Sequence, residues 1–522
     1  MISLGNMADV DFSDCISYYS SDPATSCIAL YVEGVKKGRK FLEAGRKAGK
    51  PIIALKSGVS AHGAAAAASH TGSLAGSAKI YEAAFKQGKV IQARDLDELL
   101  DSAQALSMQP TMPGPNVVVI TNGGGIGVLS SDSAEEYGIP LKPCPKDLQD
   151  AFYKCMPEFG SPKNPVDITG GSGFKGYEDC IEIALKHDWC HGVAVLYCET
   201  AVTVPDQIAD AIARGIAKVP GNKKPIVACF VGGEKCKEAG RKLNGFNVPM
   251  YDNPRKTMRA LSALRQAELF RTRPDDTFHP HANTNKEAAL ELIKTVRASG
   301  RTAFTEPEAH KLFECYGLPT AKFKTAKTAD EAVAAAASIG YPVVMKIVSP
   351  DILHKSDAGG VKVNLKDEAA IRAAFEAILE NAKKYKATAD IHGVLIQEMA
   401  PQGWKEVIVG TVNDATFGPT VMFGMGGIFV EVLKDVTFRI APFTKQTAME
   451  MFPDIKSYPI LAGTRGEKPR DQVALSDVVS RISQMCFDLG DEIAESDANP
   501  VMVFEEGKGV RVVDARIILK KK

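Results

Sequence analysis

The stretch AAAAASHTGSLAGS, Ala64–Ser77, places one histidine, His70, between alanines and small polar residues. Ser69, Thr71, Gly72 and Ser73 offer hydroxyl and backbone donors where a helix is read to begin. Such an end attracts anions through free N–H groups and the helix dipole. A cationic imidazole fits poorly there. An imidazole carrying a phosphoryl group fits well, because the helix end receives the added charge. The same residues also fit a loop histidine beside a linker.

Four other places carry possible chemistry. In TNGGGIGVLSSD, Gly123, Gly124 and Gly125 follow the apolar run NVVVI, so the turn can cradle a phosphate or simply pack tightly. Two helix starts of this kind could face one anion from both sides. Lys346 sits inside the apolar strand PVVMKIV, where a lysine snorkels, pairs or reaches nucleotide phosphates. Beyond it, DILHKSDAGGVKVNL holds His354, Lys355, Gly359 and Gly360 and reads as a loop over phosphates. Asn499 in ESDANPVMV and Asp514 in VVDARI fall on neighbouring strand ends, and oxygen ligands of this kind suit Mg²⁺ between carboxylate and triphosphate. Each of these residues alone also fits surface hydrogen bonding.

The elements that would hold these groups alternate in the first half. TSCIALYVEG reads as a strand, VKKGRKFLEAGRKAGK as a helix with Phe41, Leu42 and Ala48 for one face, and PIIALKSG as the next strand. SAKIYEAAFKQ is a helix, VIQA a strand, and DLDELLDSAQAL a helix capped by Asp95. Strand–helix alternation predicts a parallel sheet covered on both faces. TMPGP punctuates the chain near residue 113, and a second α/β unit follows with strands in CHGVAVLYCETA, KPIVACFVGG and FNVPMYDN. Residues 271–285, RTRPDDTFHPHANTN, read as a linker. The remainder reads as an α+β unit, with a helix capped at Thr305, another capped helix TADEAVAAAASIG, a buried strand YPVVMKIV, and a closing strand GVRVVDARIIL. The expected boundaries are 1–112, 113–270, a linker 271–285, and 286–522.

Composition bounds the classes. The 522 residues carry 63 basic and 63 acidic side chains, so no basic field exists to attract nucleic acid or an anionic membrane. No apolar run approaches the ~18 residues a membrane span needs. Eleven scattered cysteines without a Cys-x-x-Cys pair read as reduced, buried thiols of a cytoplasmic protein. The N-terminal stretch lacks the pattern of a signal peptide.

Together the segments resemble the ADP-forming acyl-CoA synthetases of the acetate–CoA ligase type, relatives of succinyl-CoA synthetase. KSGVSAHGAAAAASHTGSLAGS resembles the family's phosphohistidine segment, and LYVEGVKKGRKF the stretch before it. TNGGGIGVLSSD and NPVDITGG resemble its next domain. AHKLFECYGLPTAKF, YPVVMKIVSPDILHKSDAGGV, QEMAPQGWKEVIVG, FGPTVMFGMGGIFVEVLKDVTFRIAPF and SDANPVMV resemble its ATP-grasp domain. The resemblance implies an α/β chain of two flavodoxin-like succinyl-CoA-synthetase-type domains followed by an ATP-grasp domain. It implies that His70 takes a phosphoryl group from ATP and passes it to a carboxylic acid, with Glu33 holding the imidazole. His354 matches a second histidine that shuttles phosphate in some members. Lys346 with the Gly359–Gly360 loop would contact nucleotide phosphates, Glu398 would sit at the adenine hinge, and Glu406 would reach the ribose. Asn499 and Asp514 would hold Mg²⁺. The implied reaction converts acyl-CoA, ADP and phosphate into acid, CoA and ATP through an acyl phosphate.

Fused members of the family begin with a CoA-binding Rossmann domain, and no G-x-G-x-x-G unit opens this sequence. The expectation is therefore that the CoA-binding domain is absent, with CoA binding supplied by a separate chain or lost. The two catalytic halves must meet, which predicts a homodimer or hetero-oligomer. A non-catalytic ATP-binding regulatory subunit is the main alternative. The set His70, Glu33, Lys346 and Asp514 argues against it. A protein acetyltransferase would need a further module, and an ATP-grasp carboxylate–amine ligase would leave the phosphohistidine segment unexplained.

Overall fold

The computed structural model describes residues 1–60, 62–63, 77–274, 276–352, 355–427 and 432–521. His70 and His354 therefore lie outside the described residues. The chain divides into two units, Met1–Pro274 and Asp275–Lys522.

The first unit holds two parallel sheets. In the smaller, β1 (Ile28–Val32), β2 (Ile52–Lys56) and β3 (Val90–Ala93) lie in that order. All five residues of β2 are buried, whereas the edge strand β1 alternates buried and exposed. A central strand covered on both faces must be apolar throughout, and an edge strand need not be. Phe41, Leu42 and Ala48, the face the sequence offered, are all buried. The helix Leu96–Met108 begins at Asp95, whose side chain accepts from the Glu98 N–H at 2.7 Å.

The larger sheet contains β4 (Val117–Thr121), β5 (Val166–Asp167), β6 (Gly192–Cys198), β7 (Ile226–Val231) and β8 (Met250–Tyr251), ordered β5-β4-β6-β7-β8 and parallel throughout. The chain moves from β4 out to β5, then returns past β4 to β6. This is the flavodoxin-like order, and it places a topological switch point between the carboxyl ends of β4 and β6. The two sheets share one core. Ile53 and Leu55 of the small sheet, Val117 and Val119 of the large one, and Met258, Leu261 and Leu264 of the helix Pro254–Thr272 belong to a single apolar cluster.

One ionic network ties the helices over the large sheet. Glu178 on the helix Gly173–Lys186 meets Lys218 at 2.7 Å and Arg214 at 2.9 Å. Hydrogen bonds from Lys218 and Arg214 hold its carboxyl down to about 2 from the ordinary 4.5. A depressed carboxylate contributes stability above its ordinary value, and that contribution is lost as the pH falls from 4.5 towards 2. The Glu178→Gln variant is expected to lose about 1 kcal/mol at neutral pH. Its melting temperature should converge on that of the parent as the pH drops through this window. Calorimetry at pH 7 and pH 3 checks this.

The second unit has two antiparallel sheets. Strands β9 (Phe323–Ala326), β10 (Val343–Val348), β11 (Val361–Leu365) and β12 (Gly393–Glu398) pair in the order β11-β10-β12-β9. Helices Ala329–Ile339 and Glu368–Tyr385 pack on this sheet. Strands β13 (Lys405–Asp414), β14 (Gly418–Met425), β15 (Val436–Ile440), β16 (Ile493–Val503), β17 (Val510–Val512) and β18 (Ala515–Leu519) form the other, ordered β15-β14-β13-β16-β17, with β18 also on β16. The helices Lys286–Ala298, Glu306–Cys315 and Gln472–Asp488 contribute to its core.

Two expectations change here. The closing strand is two strands, β17 and β18, broken at Val513–Asp514. A single strand would have spent the Val513 carbonyl on the ladder; the break releases it. The stretch read as a linker begins inside the helix Pro254–Thr272, and its far end is tied down. The His281 N–H donates to Gln484 Oε1 at 2.8 Å, and its ring nitrogen Nε2 lies 2.8 Å from Ser480 Oγ, both on the helix Gln472–Asp488.

Candidate active site

In the second unit, Lys346 projects from β10 and is 6% exposed. Its Nζ donates to Glu306 Oε1 at 2.7 Å and to the Val513 carbonyl at 3.0 Å. Lys355 Nζ lies 2.9 Å from Glu306 Oε2 and 3.4 Å from both carboxylate oxygens of Asp514. A lysine from one sheet, a carbonyl and a carboxylate from the other, and a loop lysine thus meet around one buried glutamate. Burial opposes ionisation of Glu306, but the charge of Lys346, the adjacent His310 imidazole and the charge of Lys355 outweigh it and hold the carboxyl well below its ordinary range. Burial lowers Lys355, and Glu306 and Asp514 more than reverse this, so it stays charged.

Asn499 is exposed on β16, and its N–H donates to the Asp514 carbonyl at 3.2 Å, so these two oxygen donors are neighbours. Among the described residues, no group of three or more His, Cys, Asp or Glu side chains could hold a metal ion. The pair still fits Mg²⁺, which takes one or two protein oxygens and completes its shell with water and phosphate. Glu398 ends β12. Its backbone N–H donates to the Lys322 carbonyl at 2.9 Å, and its carboxylate is paired with Arg511 of β17. Glu406, on β13, accepts the Gly426 N–H at its carbonyl at 2.9 Å, and a Cβ on Gly426 would stand 2.9 Å from the Glu406 Cβ.

Gly359 and Gly360 turn out to fasten the loop. Gly359 has φ +61°, and its carbonyl accepts from Asn381 Nδ2 at 3.1 Å. A Cβ on Gly360 would stand 2.6 Å from Ile347 Cγ2. The Gly360 N–H donates to the Lys355 carbonyl and its own carbonyl accepts from Ile347, both at 2.8 Å. The glycines therefore seat the loop against β10 and bring Lys355 next to Lys346.

In the first unit, Glu33 follows β1 and is exposed. In the parallel register Val32 pairs with Lys56, so Glu33 lies one residue beyond the position of Lys56. Lys56 is buried at the end of β2, bonded to the Ser57 carbonyl, with its Nζ 4.8 Å from the Tyr81 ring centroid. Burial lowers its pKa, and the Glu33 charge opposes the shift. At the switch point, Gly123 precedes the helix Gly124–Glu136. The Gly123 N–H donates to Thr121 Oγ1 at 3.1 Å. Asn122 spans β4 and β6, accepting the Cys198 N–H at 2.8 Å and donating to its carbonyl at 2.9 Å. A Cβ on Gly124 would stand 3.2 Å from Asp167 Oδ2, and one on Gly125 would meet nothing within 4 Å. The turn thus has an open side at the helix start and a carboxylate beside it.

Sequence reasoning assigned no role to Glu306, Asp167 or Lys56. Glu306 opens the helix TEPEAHKLFEC, where an acid reads as dipole compensation. Asp167 was visible in NPVDITGG, and Lys56 as a cation ending an apolar strand, a weaker form of the signal that marked Lys346.

Three family matches account for most of the chain. Residues 1–106 match the succinyl-CoA ligase-like flavodoxin domain, 117–267 the ligase-CoA domain and 295–519 the ATP-grasp domain. A 4-hydroxybutyrate–CoA ligase (ADP-forming) of Nitrosopumilus maritimus is 40% identical over 522 residues, covering 99% of this chain and 74% of the relative. An acetate–CoA ligase (ADP-forming) I of Archaeoglobus fulgidus is 39% identical, with the same coverage of 99% and 74%. The chain belongs to the ADP-forming acid–CoA ligases. It is thus an enzyme of the class that forms carbon–sulfur bonds at the expense of ATP. A solved acetyl-coenzyme A synthetase 1 of Ca. Korarchaeum cryptofilum, in complex with phosphate and ADP, superposes with a TM-score of 0.50 at 40% identity, covering 52% of this chain and 59% of that one. The expected fold class, two flavodoxin-like domains with an ATP-grasp domain, is the fold of this ligase. The expected absence of a CoA-binding domain finds no support in these matches, since residues 117–267 match the ligase-CoA domain. No helix among the described residues is long and apolar enough to cross a membrane.

Proposed function

We propose that this ligase interconverts acyl-CoA, ADP and phosphate with a small carboxylic acid, CoA and ATP, using His70 as the phosphoryl carrier. The observation that carries the reading is the meeting of Lys346, Lys355, Asp514 and the freed Val513 carbonyl between two sheets. Two fixed ammonium groups and a partly exposed carboxylate are what phosphoryl transfer asks of a protein, namely positioning and charge neutralisation. Bound through Asp514 and Asn499, Mg²⁺ supplies charge neutralisation at the phosphates. Glu398 with Arg511 lines the adenine end, and Glu406 the ribose.

In the forward direction the His354 imidazole attacks the γ-phosphorus and ADP leaves, and the His70 imidazole then takes the phosphoryl group from His354. A carboxylate oxygen then takes the phosphoryl group from the imidazole, giving an acyl phosphate. The CoA thiol attacks the acyl carbon, phosphate leaves, and the thiol proton passes to solvent. Glu33 orients the imidazole, and the open Gly123–Gly125 turn receives the phosphoryl group. A phosphoramidate keeps high transfer potential, so the relay between domains 1–112 and 286–522 wastes little free energy. His354 serves as the intermediate acceptor nearer the nucleotide. Acetate and 4-hydroxybutyrate, the acids named for the two relatives, support a small acid as the substrate. The acid and CoA meet around 113–270, in a homodimer or hetero-oligomer. Eleven free cysteines fit a reducing, cytoplasmic setting.

The test is product analysis with ATP, CoA, Mg²⁺ and a panel of short acids. ADP and phosphate formed in step with thioester support the reading. AMP and pyrophosphate, or ATP binding with no acid-dependent turnover, contradict it.

A further inference from the structure

Glu306 is 5% exposed at the first turn of the helix Glu306–Cys315, forty residues from Lys346 in sequence. The Thr305 N–H and hydroxyl both donate to Glu308, which fixes the turn and frees the Glu306 carboxylate from capping. The helix packs against the β18 side of the sheet formed by β13–β18. The Glu306 carboxylate crosses to Lys346 on the β9–β12 sheet through one oxygen and to Lys355 on the loop through the other. One side chain therefore joins three segments that border the nucleotide site.

A buried ion pair is a poor source of stability, because desolvation cancels most of the attraction. An apolar residue at 306, with a leucine in place of each lysine, would satisfy folding at least as well. The cluster is better explained by what it does to the lysines. Each ammonium has three N–H donors. Lys346 gives one to Glu306 and one to Val513, leaving one for a ligand. Lys355 divides its own between Glu306 and the Asp514 carboxylate. Two ammonium groups brought this close would repel and swing apart without a shared counter-charge.

We propose that Glu306 is a positioning residue, the shared carboxylate that holds Lys346 and Lys355 as a fixed cationic pair for the nucleotide phosphates. It touches no substrate and acts through the two lysines. The proposal rests on the reading of this crevice as the nucleotide site. His310, fully buried one helical turn on with its Nε2 3.5 Å from Glu306, backs the carboxylate and stacks against Phe323 at a centroid distance of 5.2 Å.

The experiment compares Glu306→Gln and Glu306→Asp with the parent in the full chain, measuring Mg-ADP affinity by calorimetry, the KM values for ATP and acid, kcat, and the melting temperature. Glu306→Gln keeps the shape and removes the charge. It is expected to weaken Mg-ADP binding and raise the KM for ATP about tenfold or more, with the KM for the acid unchanged. Glu306→Asp, still charged, should recover most of the affinity. A lower melting temperature with unchanged nucleotide affinity would assign Glu306 a purely structural role and overturn the proposal. So would tighter nucleotide binding by Glu306→Gln, which would make the carboxylate an inhibitor of the site. Should Glu306→Gln fail to fold, Glu306→Asp combined with Lys355→Met decides: coupling between the two substitutions in Mg-ADP affinity supports the proposal, and additivity overturns it. A parent chain that binds Mg-ADP but turns over no acid sinks the functional reading alone, since the affinity comparison stands without turnover.

Discussion

Replacing His70 with alanine is expected to lower acid-dependent ADP formation by roughly a thousandfold or more, while Mg-ADP affinity stays at the parent value. The magnitude follows from removing the nucleophile that hands the phosphoryl group to the acid, the step every turnover must pass through. The unchanged affinity follows from placement: every residue assigned to the nucleotide lies between 306 and 514, in the other unit. His354→Ala should behave differently. If His354 only ferries the phosphoryl group from ATP, its loss blocks phosphorylation of His70 by ATP but not by acyl-CoA with inorganic phosphate. Measuring phosphorylation from both directions in both variants separates carrier from shuttle. Equal loss from both directions in His354→Ala contradicts the shuttle role.

Replacing Lys346 with methionine should be nearly as damaging, and in two ways. The phosphates lose a preorganised cation, which is worth roughly a hundredfold in kcat/KM for ATP. Glu306, buried at 5% exposure, also loses its 2.7 Å partner and keeps Lys355 as its one ammonium partner. Leaving a buried carboxylate half-paired costs about 1–3 kcal/mol, so the melting temperature should fall together with ATP affinity. Adding Glu306→Gln to Lys346→Met should restore part of the stability, because the stranded charge is gone, without restoring turnover. Recovery of turnover in the double variant, or ATP affinity in Lys346→Met close to that of the parent, would remove Lys346 from the nucleotide site.

The residues that announce themselves in sequence are those out of keeping with their own segment. Lys346 is a cation in PVVMKIV, and the three glycines at 123–125 follow an uninterrupted apolar strand. The alternation of strand and helix through residue 270 was readable for the same reason, because parallel strands covered on both faces must be apolar along their length. Glu306 was hidden because its local setting, an acid in the first turn of a capped helix, already has an ordinary explanation. Its partners arrive only through tertiary packing. The break at Val513–Asp514 was hidden too, since VRVVDARIIL has strand character on both sides and only the pairing of β17 and β18 with β16 shows where the ladder stops. The glycines at 359 and 360 were legible as glycines but not in their use, which depends on Ile347 and Asn381 lying against them. His70 and His354 lie outside the described residues, so their roles rest on sequence alone.

The central step is the passage of a phosphoryl group from ATP to His70. The direct measurement is to incubate the purified chain with Mg²⁺ and γ-labelled ATP, without acid or CoA, and to follow label bound to protein. The account predicts label that is labile in acid and stable in base, that maps to His70, and that is discharged on adding acid and CoA. Protein that binds ATP yet carries no such label, or label that survives when both His70 and His354 are replaced by alanine, would contradict it.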